Sequence, residues 1–78
     1  MQLSVALRLR IKALLKANKM KMYDLSKSSG IPCSTLSDFM NNKTKIIKVD
    51  TLLHICEGFN ITLVDFFNDD VFFEVEQD

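Results

Sequence analysis

Three consecutive residues, Gly30-Ile31-Pro32, constrain this chain most, because they stop one helical pattern and start another within a single turn. Residues Met22 to Ser29 read as a helix that buries Leu25 with Met22 or Ser26. It stops at Gly30, which takes the positive φ of a helix end at little cost. Pro32 fixes φ at the first turn of a following helix over 33–41, where Leu36, Phe39 and Met40 turn inward. A small side chain at Ser26 lets the two helices cross closely, and Ile31, Leu36 and Phe39 form the apolar seam between them.

The remaining patterns are also helical. Leu7, Ile11, Leu14 and Leu15 recur at helical spacing over residues 4–17, with Arg8, Arg10, Lys12 and Lys16 between them on an expected solvated basic face. Val5, Leu9 and Ala13 sit off that stripe, and Asn18-Lys19 ends it. Leu52, Ile55, Cys56 and Phe59 give a fourth helix from Val49 to Phe59, with Asp50 near its positive end and Asn60 as a left-handed stop. Thr62 and Asp65 have the spacing of a capping box, which predicts a short fifth helix, Leu63 to Asn68, presenting Phe66 or Phe67 to the core. Between the third and fourth helices, the polar, basic segment 42–48 contains one apolar pair, Ile46-Ile47, expected to plug the core. The ending Val71-Phe72-Phe73-Glu74-Val75-Glu76 partly alternates apolar with acidic residues, as an edge strand or a frayed tail does. The expectation is an all-α, compact five-helix domain over 1–78, with a helical core at 4–68 and a short acidic tail at 69–78.

At 78 residues, such a fold buries only about 60–65 % of its unfolded surface and is marginal in stability. A hydrophobic content of 47 % with six Phe implies a dense core, or apolar surface reserved for a second subunit. Cys33 and Cys56 form neither a zinc framework nor the closely spaced set of a secreted miniprotein, so a reducing cytoplasm fits better. No basic, apolar and cleavage-site series opens the chain, and no apolar run approaches a membrane span. Expected therefore are a cytoplasmic location, no membrane and no metal or other cofactor. His54, on the outer face of the fourth helix, has no evident catalytic company.

The net charge of zero conceals a segregation. All ten Lys and Arg lie in the first 48 residues, opposed only by Asp24 and Asp38, which leaves about +8 there. The remainder holds eight carboxylates and no Lys or Arg. Charge divided in this way is a sign of nucleic-acid binding by one half. The helix after Gly30 leaves outward a face of Cys33, Ser34, Ser37, Asp38 and Asn41. These small, mostly polar side chains fit a major groove about 12 Å wide.

Taken together, these residues resemble the helix-turn-helix proteins of the lambda repressor and Cro type, the XRE-type regulators, from about Leu7 to Phe67. The matching positions are Arg10-Ile11-Lys12 and Leu14, Leu25-Ser26, Gly30-Ile31, Thr35-Leu36-Ser37, Asn41 and Lys43, Asp50-Thr51-Leu52-Leu53 with Ile55, and Leu63 with Phe66-Phe67. The resemblance implies that Cys33, Ser34, Ser37 and Asp38 read bases. It places Ser28, Asn41, Asn42, Lys43 and Lys45 near phosphates, and Thr35 in support of the recognition helix or against the backbone.

The chain departs from the family pattern at four places. Lys21-Met22 stands where Thr or Ser followed by Gln is usual, so Lys21 would supply a phosphate contact by charge, although Lys is a poor N-cap. Asn42 replaces a Gly, Ile47 stands where Pro is common, and Cys33 replaces a longer polar side chain. The resemblance implies a sequence-specific double-stranded DNA-binding regulator, a repressor acting as a homodimer on a palindromic operator, and not an enzyme. The alternative is a protein-interaction module or antitoxin whose helix-turn-helix is structural and whose acidic C-terminal half engages a protein partner.

Overall fold

A computed structural model of the chain describes residues 1–76, and all regular structure among them is helical. The order is α1 (Leu3–Ala17), α2 (Met22–Ser29), α3 (Cys33–Met40), α4 (Val49–Gly58), α5 (Leu63–Phe67) and a 3₁₀ turn over Asp70–Glu74. Gln77 and Asp78, the end of the expected tail, lie outside the described residues.

The apolar stripes converge on one core. Leu7, Ile11 and Leu14 of α1 meet Leu25, Leu36, Phe39, Ile55 and Phe66. Each such side chain contributes about 1.5–3 kcal/mol when fully buried. Phe66, not Phe67, is the fully buried aromatic of α5. Ser4, one turn before Leu7 on the same face, and Ala6 are buried as well.

Three helix ends share one device. After α1, α3 and α4 the chain enters the left-handed region at Lys19 (φ 53°), Asn42 (φ 64°) and Asn60 (φ 59°). In each case the next N–H closes back on the last turn: Met20 to the Leu15 carbonyl at 2.9 Å, Lys43 to Asp38 at 2.8 Å, Ile61 to Cys56 at 3.0 Å. These are Schellman closures, which satisfy carbonyls a helix end otherwise leaves unpaired. Asn tolerates the conformation; Lys19 adopts it at a cost of about 1 kcal/mol. Gly30 ends α2 at φ 76°.

The crossing of α2 and α4 is the most extensive helix pairing, and Gly58 makes it possible. A Cβ at Gly58 would stand 3.0 Å from Leu25 Cδ1, Ser28 Oγ and Ser29 Cβ. Ser26, which its size alone marks as a crossing residue, has a further role: its hydroxyl donates to the Ile31 carbonyl at 2.6 Å and fastens the turn between α2 and α3.

Two expectations are corrected. Residues 70–74 form neither a strand nor a frayed tail but a 3₁₀ turn docked on α1. The Asp69 carboxylate caps it by accepting from the Val71 N–H at 2.9 Å. Phe72 packs against Phe66 and Phe67, with ring centroids 5.9 and 4.9 Å away. The Met1 ammonium donates to the Glu74 carbonyl at 2.6 Å, and the Glu76 N–H donates to the Met1 carbonyl at 2.9 Å.

The second correction concerns the basic face of α1. Lys12 and Lys16 are exposed as expected, but Arg8 and Arg10 are half-buried. Arg10 reaches α5, where its Nε donates to the Phe66 carbonyl at 2.7 Å and its Nη2 to the Asp65 carbonyl at 2.9 Å. Its Nη1 pairs with Asp69 at 3.2 Å. Arg8 lies with its Cζ 5.6 Å from the centroid of the Phe39 ring, joining α1 to α3.

Candidate nucleic-acid interface

α3 is held in place from three sides. Leu36 and Phe39 are buried in the core, Arg8 lies over the Phe39 ring, and the hydrogen-bonded turn fixes where the helix begins. Pro32, with φ −56° and ψ 141°, is the N-cap residue and precedes the first helical turn that begins at Cys33. Its carbonyl accepts from the Thr35 and Leu36 N–H groups at 3.0 and 3.2 Å.

The opposite face of α3 is open. Ser34, Asp38 and Asn41 are exposed, and Cys33 and Ser37 are half-buried beside them. No intramolecular side-chain hydrogen bond engages these five among the described residues, so their polar atoms are available to a partner. Asn42, Lys43 and Lys45 follow, all exposed. The Asp38 carbonyl, which accepts from the N–H groups of Lys43 and Thr44 at 2.8 and 3.2 Å, holds the first part of this loop against the end of α3. Thr35 is exposed at the side of α3 and borders an apolar cavity against α4.

Lys21 and Ser28 stand at opposite ends of α2. Lys21 is exposed and offers no side-chain cap, yet the helix start is not left open, because the Asp24 carboxylate accepts from the Lys21 backbone N–H at 2.9 Å. This half of a capping box replaces the N-cap side chain that Lys cannot supply. The Ser28 hydroxyl donates back to the Leu25 carbonyl at 3.3 Å, which leaves its oxygen lone pairs free to accept.

Sequence reasoning missed Tyr23 and Lys27 on α2. Tyr23 is exposed, and the Lys27 ammonium lies 5.0 Å from its ring centroid. Their i, i+4 spacing was the signal available. Cys56 is fully buried, and desolvation pushes its thiol up from the ordinary range. His54 is exposed on the outer face of α4, where it forms an i, i+3 surface pair with the Glu57 carboxylate at 3.3 Å. Among the described residues no group of three or more His, Cys, Asp or Glu is placed to hold a metal, and no helix is long and apolar enough to cross a membrane.

Two short helices joined by a glycine turn, the second with one face in the core and one in solvent, define a helix-turn-helix protein. The family model of the Cro/C1-type HTH DNA-binding domain matches residues 10–70. The chain belongs to that family, as its residue pattern implies. Comparison with curated proteins and with solved structures returns no match.

Proposed function

We propose that the chain is a sequence-specific double-stranded DNA-binding regulator of transcription that represses from a palindromic operator as a homodimer. The observation that carries this reading is the composition of α3: a face of small, unpaired polar side chains with no Lys or Arg, followed at once by Lys43 and Lys45. Phosphate contacts fix register and carry most of the affinity, whereas base edges supply sequence preference. In this reading Cys33, Ser34, Ser37 and Asp38 face base edges. Lys21, Ser28, Asn41, Asn42, Lys43 and Lys45 face phosphates, with Thr35 at the margin. Asp38 accepts from a cytosine amine. The family is one of DNA-binding regulators, and no catalytic step is assigned. The setting is the cytoplasm.

In this reading α5 carries the dimer contact. One recognition helix reads only a few base pairs, and a two-fold axis places a second about 34 Å along the duplex. Val64 is 78 % exposed and Phe67 43 %. With Leu63 and Asn68 they line a shallow apolar groove, the kind of surface a second copy covers.

A second reading has its own support. Asp38, a carboxylate on the outward face of α3, opposes phosphate, and Phe73 on the acidic ending is 86 % exposed. Both suit an interaction module of the antitoxin or adaptor type that engages a basic protein partner. Selection of bound duplexes from random DNA decides between the two. A recovered palindrome supports the regulator, and an unenriched pool supports the interaction module.

A further inference from the structure

Behind α3, on the side away from its open face, the fold leaves a half-enclosed cavity of about 270 Å³. Its floor is apolar, made by Ile11, Leu36, Phe39, Ile47 and Ile55. At its edge stand Thr35, Thr44, Thr51 and Lys48. No intramolecular hydrogen bond engages the three hydroxyls among the described residues, and no ion pair engages Lys48. Among the described residues neither Asp nor Glu lines the cavity, and the one ionic group among them there is the Lys48 cation. Ile46, expected to plug the core with Ile47, instead stands at the lip with 82 % of its surface in water. From Lys45 to Lys48 no backbone N–H is bonded to another backbone carbonyl among the described residues, so that wall is held chiefly by the Ile47 side chain.

Size and charge together specify an occupant. At about 30 Å³ per atom in a liquid, the cavity takes on the order of nine non-hydrogen atoms. That is smaller than a typical drug site but of the usual kind: apolar walls with a few convergent polar groups. We infer that this cavity binds a small monocarboxylate with an unbranched or single-ring apolar body, its carboxylate held at the mouth by Lys48 and the threonine hydroxyls. Charge-assisted hydrogen bonds select the carboxylate over a neutral head group.

The cavity wall has a second property. Thr35, Leu36, Phe39 and Met40 belong to α3, and Thr44, Ile46 and Ile47 to the loop that carries Lys43 and Lys45. A ligand seated there bears on both at once. Its occupancy is therefore linked to DNA affinity, and reciprocally so. The linkage rests on the DNA-binding reading, whereas the binding of the carboxylate does not.

The test uses the full chain and sodium octanoate, with octan-1-ol as the neutral analogue. In a methyl-resolved NMR titration, octanoate shifts Leu36, Ile47 and Ile55 saturably, with a dissociation constant on the order of 1 mM or below for a ligand of this size. Octanol binds about fivefold more weakly, and Lys48→Gln, at an exposed position, removes that preference without disturbing the remaining spectrum. Failure to saturate by about 10 mM, shifts centred on Val64 instead, or equal affinity for acid and alcohol each overturns the carboxylate site. With a selected duplex in hand, saturating octanoate changes DNA affinity about fivefold or more, and unchanged affinity overturns the linkage alone.

Discussion

Arg10 and Phe66 are joined by a 2.7 Å hydrogen bond from the guanidinium Nε to the backbone carbonyl, and the same guanidinium lies 5.9 Å from the Phe66 ring centroid. One side chain thereby supplies donors to carbonyls at the end of a five-residue helix and packs on the aromatic residue that anchors it. The charge expected on a solvated helix face is structural, with only 16 % of the side chain exposed.

The consequence is testable. Arg10→Met keeps the packing volume and removes the donors, leaving the Phe66 carbonyl unpartnered. Hydrogen bonds to a charged group are worth about 1.5–3 kcal/mol in favourable cases, so a loss of about 2 kcal/mol is expected in urea unfolding. The salt dependence of DNA binding should not change. A variant of normal stability with a shallower salt slope would place Arg10 on the DNA surface instead.

Gly30 and Gly58 separate two mechanisms. Gly30 has φ 76° and open space around its missing Cβ, so Gly30→Ala costs only backbone strain, about 1 kcal/mol. Gly58 is the last residue of α4, where Ala gains little by helix propensity, and its Cβ would press at 3.0 Å on α2. Ser29 Cβ is fixed to the α2 backbone and cannot swing away, so overpacking prevails and Gly58→Ala loses about 1–2 kcal/mol. A Gly58→Ala protein more stable than the parent would show that α2 and α4 separate freely.

These cases show where the sequence was readable. Stripes such as Leu7, Ile11 and Leu14, the stops at Gly30 and Asn60, and the Thr62–Asp65 capping box are local, and periodicity reports them directly. The open face of α3 was legible because burial of Leu36 and Phe39 determines what is left outside. Arg10, Gly58 and the docking of Phe72 were not, since each depends on a neighbour far along the chain. Alternation in Val71–Glu76 suggested a strand because period two was the only local signal; Asp69 capping and the Phe66–Phe67–Phe72 cluster decided otherwise.

Cys56 imposes a pH dependence. Burial raises its thiol pKa in the folded state, so the unfolded chain releases that proton first. The contribution is complete below the unfolded thiol pKa, about 8.5, and is lost as pH rises from there toward the folded value. Stability should therefore fall above about pH 8.5, and Cys56→Ala should flatten that part of the curve despite its own cost. A thiol reagent should label Cys33 in the folded protein and reach Cys56 only on unfolding. Equal labelling rates would mean that the core around Cys56 opens readily.

For the dimer, deletion of residues 70–78 is an unsuitable probe, because it removes Phe72 from the packed aromatic cluster and confounds association with folding. Val64→Asp is cleaner: the residue is 78 % exposed, so the monomer fold tolerates it. On a shared apolar face an unpaired carboxylate costs several kcal/mol of association. Sedimentation at micromolar concentration should then show the mass of one chain for the variant and of two for the parent. Equal masses would place the interface elsewhere, with Phe73 and Val49, 86 % and 71 % exposed, the next apolar positions to try.

Salt provides the last prediction, since it separates phosphate contacts from base contacts. Lys21, Lys43 and Lys45 with their symmetry mates amount to about six neutralised phosphates, so affinity should fall about a thousandfold between 50 and 200 mM salt. Removing Lys43 and Lys45 together should weaken every duplex alike and reduce the slope by roughly four for the dimer. Ser37→Ala should instead leave the slope unchanged and relax preference at one base position, costing about 1 kcal/mol against the selected site, the worth of a single hydroxyl hydrogen bond. If Ser37→Ala altered the slope and the lysine pair altered the preference, the two roles would have to be exchanged, and α3 would be lying along the backbone instead of in the groove.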